Sequence, residues 1–144
     1  MSDNEKNTAE LQNEIENARS IEDILHAHTD TLPAHSLSEY LSMLLKKKDL
    51  KRAEIIRRAG LDRNYAYHIF AGEKTPTRPK VLAIALAFEL SPREADYLLY
   101  YAGAGRLYAR NPWDQIIIYA LKNHWSVDRT NEQLLALGET EFLG

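Results

Sequence analysis

The stretch from Arg52 to Ile69 constrains the fold more than any other part of this chain. It reads as a helix, a tight turn carrying Gly60, and a second helix. The first helix is expected to bury Ala53, Ile55 and Ile56, and the second Ala66, Ile69 and Phe70. Gly60 falls just past the first helix. A left-handed backbone is needed there, and glycine adopts it without a steric cost. Asp62 stands before the second helix as an N-cap, its carboxylate accepting from backbone N–H groups that lack an intrahelical partner.

A helix-turn-helix unit of this kind can set its second helix into a DNA major groove. The charge distribution points the same way, although the net charge of −3 argues at first sight against an anionic partner. Residues 1–45 carry 2 basic and 9 acidic side chains, residues 46–80 carry 11 and 4, and residues 81–144 carry 5 and 8. Positive charge is therefore concentrated on the helix-turn-helix segment, as in an electrostatic footprint for nucleic acid. A solvated basic face is the bland alternative. With 44% hydrophobic and 27% charged residues, the 144-residue chain suits one compact domain plus an extension. No apolar run approaches the roughly 18 residues that span a bilayer. The polar start, Met1 to Lys6, is not expected to be a signal peptide. The absence of cysteine removes disulfides and thiol chemistry. A cytoplasmic protein with no membrane contact is expected.

An all-α architecture is expected, because no segment sustains the alternation of a half-buried strand. Capping signals recur at Ser20, Ser36, Ser91 and Asn111, each three residues before a carboxylate. Helices are predicted at about 8–28, 37–48, 51–59, 63–71, 80–89, 92–102, 113–124 and 127–137. Residues 29–33 read as a linker and 72–79 as a polar loop. Helix 37–48 is expected to bury Leu37, Tyr40, Leu41, Leu44 and Leu45. Helix 80–89 is apolar nearly all round, which predicts the central buried helix. The run Ile116–Ile118 covers more of a helix's circumference than two-layer packing needs. Either the N-terminal helix or a second subunit is expected to cover it.

The five-helix order of 37–102, the Ala59–Gly60–Leu61 turn and the loop Ala71–Gly72–Glu73–Lys74–Thr75–Pro76 resemble the Cro/C1-type helix-turn-helix domain of the XRE family. The loop is similar to the family's frequent Asn–Gly–Lys–x–x–Pro pattern, with Ala71 in place of Asn. The stretch Tyr67–His68–Ile69–Phe70–x–Gly72, with Arg110–Asn111–Pro112–x–Asp114 and Asn131–x–x–Leu134, is similar to small regulators of the same superfamily. The resemblance implies a lambda-repressor-like core flanked by an N-terminal helix and two C-terminal helices. It implies sequence-specific binding of double-stranded DNA, without catalysis or cofactor, through a recognition helix at about 63–71. By position, Arg63, Asn64, Tyr67 and His68 would reach base edges. Arg63 would pair with guanine O6 and N7, and Asn64 with adenine N6 and N7. Arg52, Tyr65, Lys74 and Arg78 would hold phosphates, positioning the protein without reading sequence.

Tyr65, Tyr67 and Phe70 make the second helix unusually aromatic for this family, and Ala71 lacks the amide that often bonds phosphate. Tyrosine suits protein interfaces as well. The alternative is therefore a non-catalytic interaction module that keeps the fold and turns its aromatic second helix to a protein partner. No nucleophile elbow, phosphate loop or His–Glu–x–x–His pattern is present. His26 and His28, two apart on a helix, do not face each other. With His35 they read as surface histidines rather than metal ligands. Lys46, Lys47 and Lys48 complement a helix C-terminal dipole. Tyr97, Tyr100, Tyr101 and Tyr108 read as packing between the core and the C-terminal helices rather than as a ligand cage. The expected organisation is an acidic N-terminal helical extension and linker (1–35), a helix-turn-helix domain (36–103) and a C-terminal packing and dimerisation region (104–144). The acidic extension either packs by its apolar stripe or masks the basic face. A homodimer reading two half-sites about 34–36 Å apart is expected.

Overall fold

In the computed structural model, which describes residues 35–144, seven helices follow one another: α1 (Leu37–Lys48), α2 (Arg52–Ala59), α3 (Arg63–Phe70), α4 (Arg78–Ala87), α5 (Pro92–Tyr101), α6 (Pro112–Lys122) and α7 (Val127–Ala136). No strand occurs among the described residues. The predicted helix at 8–28, the linker at 29–33, and His26 and His28 lie outside them.

Local chemistry sets most helix ends. Ser36 and Glu39 close a reciprocal capping box on α1, and Ser91 and Glu94 close another on α5. Asn111 caps α6 by accepting from the Asp114 N–H, and Ser126 caps α7 by accepting from Arg129. Helix α2 ends on Gly60, at φ 69°, with its N–H bonded to the Arg57 carbonyl. Asp62 then accepts from the Tyr65 N–H and starts α3. Helix α4 begins two residues before the predicted start. Its first turn takes Pro79 without loss, because an N–H there would lack a partner anyway.

Helix α4 is the centre of the fold, and every residue from Val81 to Ala87 is buried. It lies against α2, α5, α6 and α7, while α1 packs on α3 and α5. Burying a Leu or Ile side chain stabilises by about 1.5–3 kcal/mol, and Leu82, Ile84, Leu98, Leu99, Ile117 and Leu121 all do so within this layer.

Two expectations are corrected here. Ala53 is exposed rather than buried. Ile55, Ile56 and Ala59 carry the inward stripe of α2, which turns Ala53 outward. The Ile116–Ile118 run is covered in part by the described helices themselves. Helix α6 meets α4, α5 and α7, so Ile117 is fully buried and Ile116 and Ile118 are half-buried against the same core. Tyr40 and Tyr101 stack at 4.6 Å beside Tyr100 and His35, so Tyr101 packs α5 on α1 rather than on the C-terminal helices, and Tyr108, expected to pack there too, is exposed. The Tyr40 hydroxyl is pushed up to about 12 by burial, with Glu94 adding to the effect.

Past Gly138 the chain folds back. The Trp113 indole N–H donates to the Glu141 carbonyl, and Asn131 exchanges two hydrogen bonds with the Leu143 backbone. Leu143 is buried, and the Lys80 ammonium donates to the Gly144 carbonyl at 3.3 Å.

Candidate nucleic-acid interface

Helix α3 is only eight residues long, too short to be stable alone. Ala66, Ile69 and Phe70 hold it against the core. At 3.6 residues per turn, positions 64 and 68 lie opposite that face, and 63 and 67 continue the same arc on its flank. Arg63, Asn64 and His68 are exposed and Tyr67 is half-buried. The four residues assigned to base edges therefore share one outward face.

Arginines flank that face. The Arg52 guanidinium lies 5.0 Å from the centre of the Tyr67 ring, and that of Arg63 lies 6.0 Å from it. Such contacts are worth about 0.5–1 kcal/mol at exposed sites. Here they hold two cations at the start of α2 and α3 in fixed places. Tyr67 thus works through its ring as a bracket between Arg52 and Arg63. A shallow groove of about 350 Å³ opens between α2 and α3, floored by Ala53, Ile56 and Leu61 and edged by Arg57, Arg63 and Tyr67.

The loop after α3 is tied down. The Glu73 and Lys74 N–H groups both donate to the His68 carbonyl, and Pro76 is buried. Gly72 passes so close to α1 that an added Cβ would meet the Ser38 hydroxyl at 3.0 Å. Lys74 is exposed at the loop's edge. His68 pairs through Nδ1 with the Glu73 carboxylate, which sets one acid beside the cationic face. Arg52, Arg63 and Lys74 form no ion pair among the described residues.

Other cations are committed elsewhere. Arg57 and Arg58 both bond Glu54, and Arg58 also donates to the Ala87 carbonyl. Those two hydrogen bonds hold the Glu54 carboxyl below its ordinary range. Lys48 sits 3.8 Å from Glu94. Tyr65, assigned to phosphate, is half-buried with the Lys80 ammonium 5.7 Å from its ring centre.

Arg78 departs most from expectation. Its guanidinium makes four hydrogen bonds, to both Asp114 oxygens (3.0 and 2.8 Å) and to the Gly105 and Arg106 carbonyls (2.8 and 2.9 Å). An Arg offers five N–H donors, so little remains for a phosphate. Arg78 is a brace between α4 and the α5–α6 loop, and it leaves the phosphate-facing set. Asp114 also accepts from the Tyr108 N–H, and Asp96 accepts from the Leu107 N–H. Burial pushes the Asp96 carboxyl up to about 6, against the Leu107 hydrogen bond and the Arg106 charge. Sequence reasoning missed this hub, since Arg78 and Asp114 lie 36 residues apart and no spacing rule links them.

Among the described residues no cluster of three or more His, Cys, Asp or Glu could hold a metal, and no helix is long and apolar enough to cross a membrane. No protein-family model, curated protein or solved structure matches the chain.

Proposed function

We propose that this protein is a sequence-specific DNA-binding transcriptional regulator without catalysis, with α1–α5 as a Cro/C1-type helix-turn-helix core. The observation that carries this reading is the outward face of α3. It presents Arg63, Asn64, Tyr67 and His68 together, with the exposed cations Arg52 and Lys74 at its flanks. Arg and Asn offer the bidentate geometries that read guanine and adenine in the major groove. Arg52 and Lys74 are placed to neutralise phosphates on either side.

The test is retention from a pool of random duplex DNA at two salt concentrations, followed by sequencing. Enrichment of a defined site supports sequence reading, and a palindromic site sets the half-site spacing of a homodimer. Tyr119, Leu135, Leu137 and Phe142, exposed near the C-terminal helices, are the apolar side chains available for such a dimer. Weak binding without enrichment, lost at modest salt, overturns the reading.

The apolar floor of the α2–α3 groove and the Glu73 carboxylate favour one other reading, a protein partner on the same face. Salt separates the two. An aromatic protein interface loses far less affinity between low and moderate salt than several phosphate contacts do.

A further inference from the structure

The loop between α5 and α6 is held more firmly than a connection requires. Leu107 plugs it into the core at 5% exposure. The Leu107 and Tyr108 N–H groups donate to Asp96 and Asp114 at 2.8 Å each, and Arg78 takes the Gly105 and Arg106 carbonyls. The Asn111 N–H closes a turn onto the Tyr108 carbonyl, and the Gln115 amide donates to the Ala109 carbonyl. What this scaffold presents outward is Tyr108, 52% exposed, and Arg110, exposed and without an ion pair among the described residues.

The loop's place in the fold gives the scaffold a use. Arg78 opens α4, and Lys74 lies four residues before it in the segment that leaves α3. Four residues span at most about 14 Å. The loop carbonyls sit within 2.9 Å of the Arg78 guanidinium, and Lys74 and Thr75 line one pocket with Ala102 and Gly103, so the start of the loop lies beside the Lys74 segment. Each strand of a duplex carries a phosphate about every 3.4 Å along its axis, so a backbone tracking Lys74 runs on to this distance. Asp96 and Asp114 nearby are both buried, Asp114 with both oxygens engaged by Arg78 and Asp96 accepting from Leu107 through Oδ1.

We propose that the α5–α6 loop is a second phosphate-binding rim, in which Arg110 and the Tyr108 hydroxyl hold the sugar–phosphate backbone of duplex DNA beside the recognition helix. This rests on the DNA-binding reading of α3 and extends it to residues outside the helix-turn-helix. Arg and Tyr are both common phosphate donors. A loop already rigid in the free protein loses little entropy on engaging. The division of labour follows from the geometry: Arg78 serves as the brace, and the loop it braces carries the contact.

The experiment measures binding of the full chain to a mixed-sequence duplex across a salt series, for wild type, Arg110→Ala, Arg110→Lys and Tyr108→Phe. Each released counterion contributes about 0.9 to the slope of log K against log salt. Arg110→Ala should reduce the slope by about that amount, whatever the duplex sequence, while Arg110→Lys keeps it. Tyr108→Phe should weaken binding with the slope kept; equality with wild type removes the hydroxyl from the site. A wild type that binds with a clear slope, beside an Arg110→Ala variant with the same slope and affinity, overturns the rim and leaves the α3 reading standing. A wild type that does not bind duplex at all overturns both. Arg110 and Tyr108 are exposed, so an unchanged thermal melt accompanies these variants.

Discussion

Arg63 and Lys74 are both exposed cations, yet they are expected to act on DNA in different ways. Arg63 stands at the first turn of α3, bracketed by Tyr67, where its fork can meet a base edge. Arg63→Ala should weaken binding by about 1–3 kcal/mol and relax the selected sequence at one position. Lys74 sits in the loop, so Lys74→Ala should weaken binding evenly across sequences and lower the salt slope by about one. Selection and salt titration of the two variants check this. Identical behaviour would mean that α3 does not read bases. Arg78 belongs to a different class. Its loss leaves the Asp114 carboxylate, 4% exposed, without a cation. Breaking a buried pair in this way costs about 3 kcal/mol or more. Chemical denaturation of Arg78→Ala should show that loss, and a stability within 1 kcal/mol of wild type would remove its role as a brace.

At the scale of the helix, the turn between α2 and α3 sets the angle at which the outward face of α3 is presented. Gly60 holds φ 69° there, with nothing near enough to touch an added Cβ. Gly60→Ala therefore meets no clash and suffers only left-handed backbone strain, about 1–2 kcal/mol. A denaturation midpoint equal to wild type would show that the turn relaxes freely. Caps and turns like this one were legible in the sequence because their partners lie within three or four residues. Asp62 to Tyr65, Ser36 to Glu39, Ser91 to Glu94 and Asn111 to Asp114 all form as the spacing required. The inward stripe of α2 was only partly legible. In an eight-residue helix both Ala53 and Ile55 are compatible with burying Ile56, and the position of α4 selected Ile55.

At the largest scale, the hub of Arg78, Asp96 and Asp114 joins α4 and α5 to the α5–α6 loop and α6, and that junction is expected to respond to pH. Asp96 sits at about 6 in the fold, against 3.8 ordinarily, because burial disfavours its charge. The folded state therefore holds its proton more tightly than the unfolded chain does. The contribution is fully present below about pH 4 and is lost as pH rises through about 6, a change of roughly 2–3 kcal/mol. Asp96→Asn should remove that dependence, and an unchanged difference in melting temperature between pH 4.5 and pH 7 would count against it. The sequence alone determined that the described chain is helical, to within two residues where its helices begin, that α4 is buried, and which residues lie on the open side of α3. Those properties follow from periodicity and from hydrogen bonds between near neighbours. Only the tertiary structure decided that Arg78 braces rather than binds, that Ile116–Ile118 is covered in part from within, that the tail returns to Lys80, and that the α5–α6 loop presents Arg110. Each depends on partners tens of residues apart, which are brought together by the path of the packed chain.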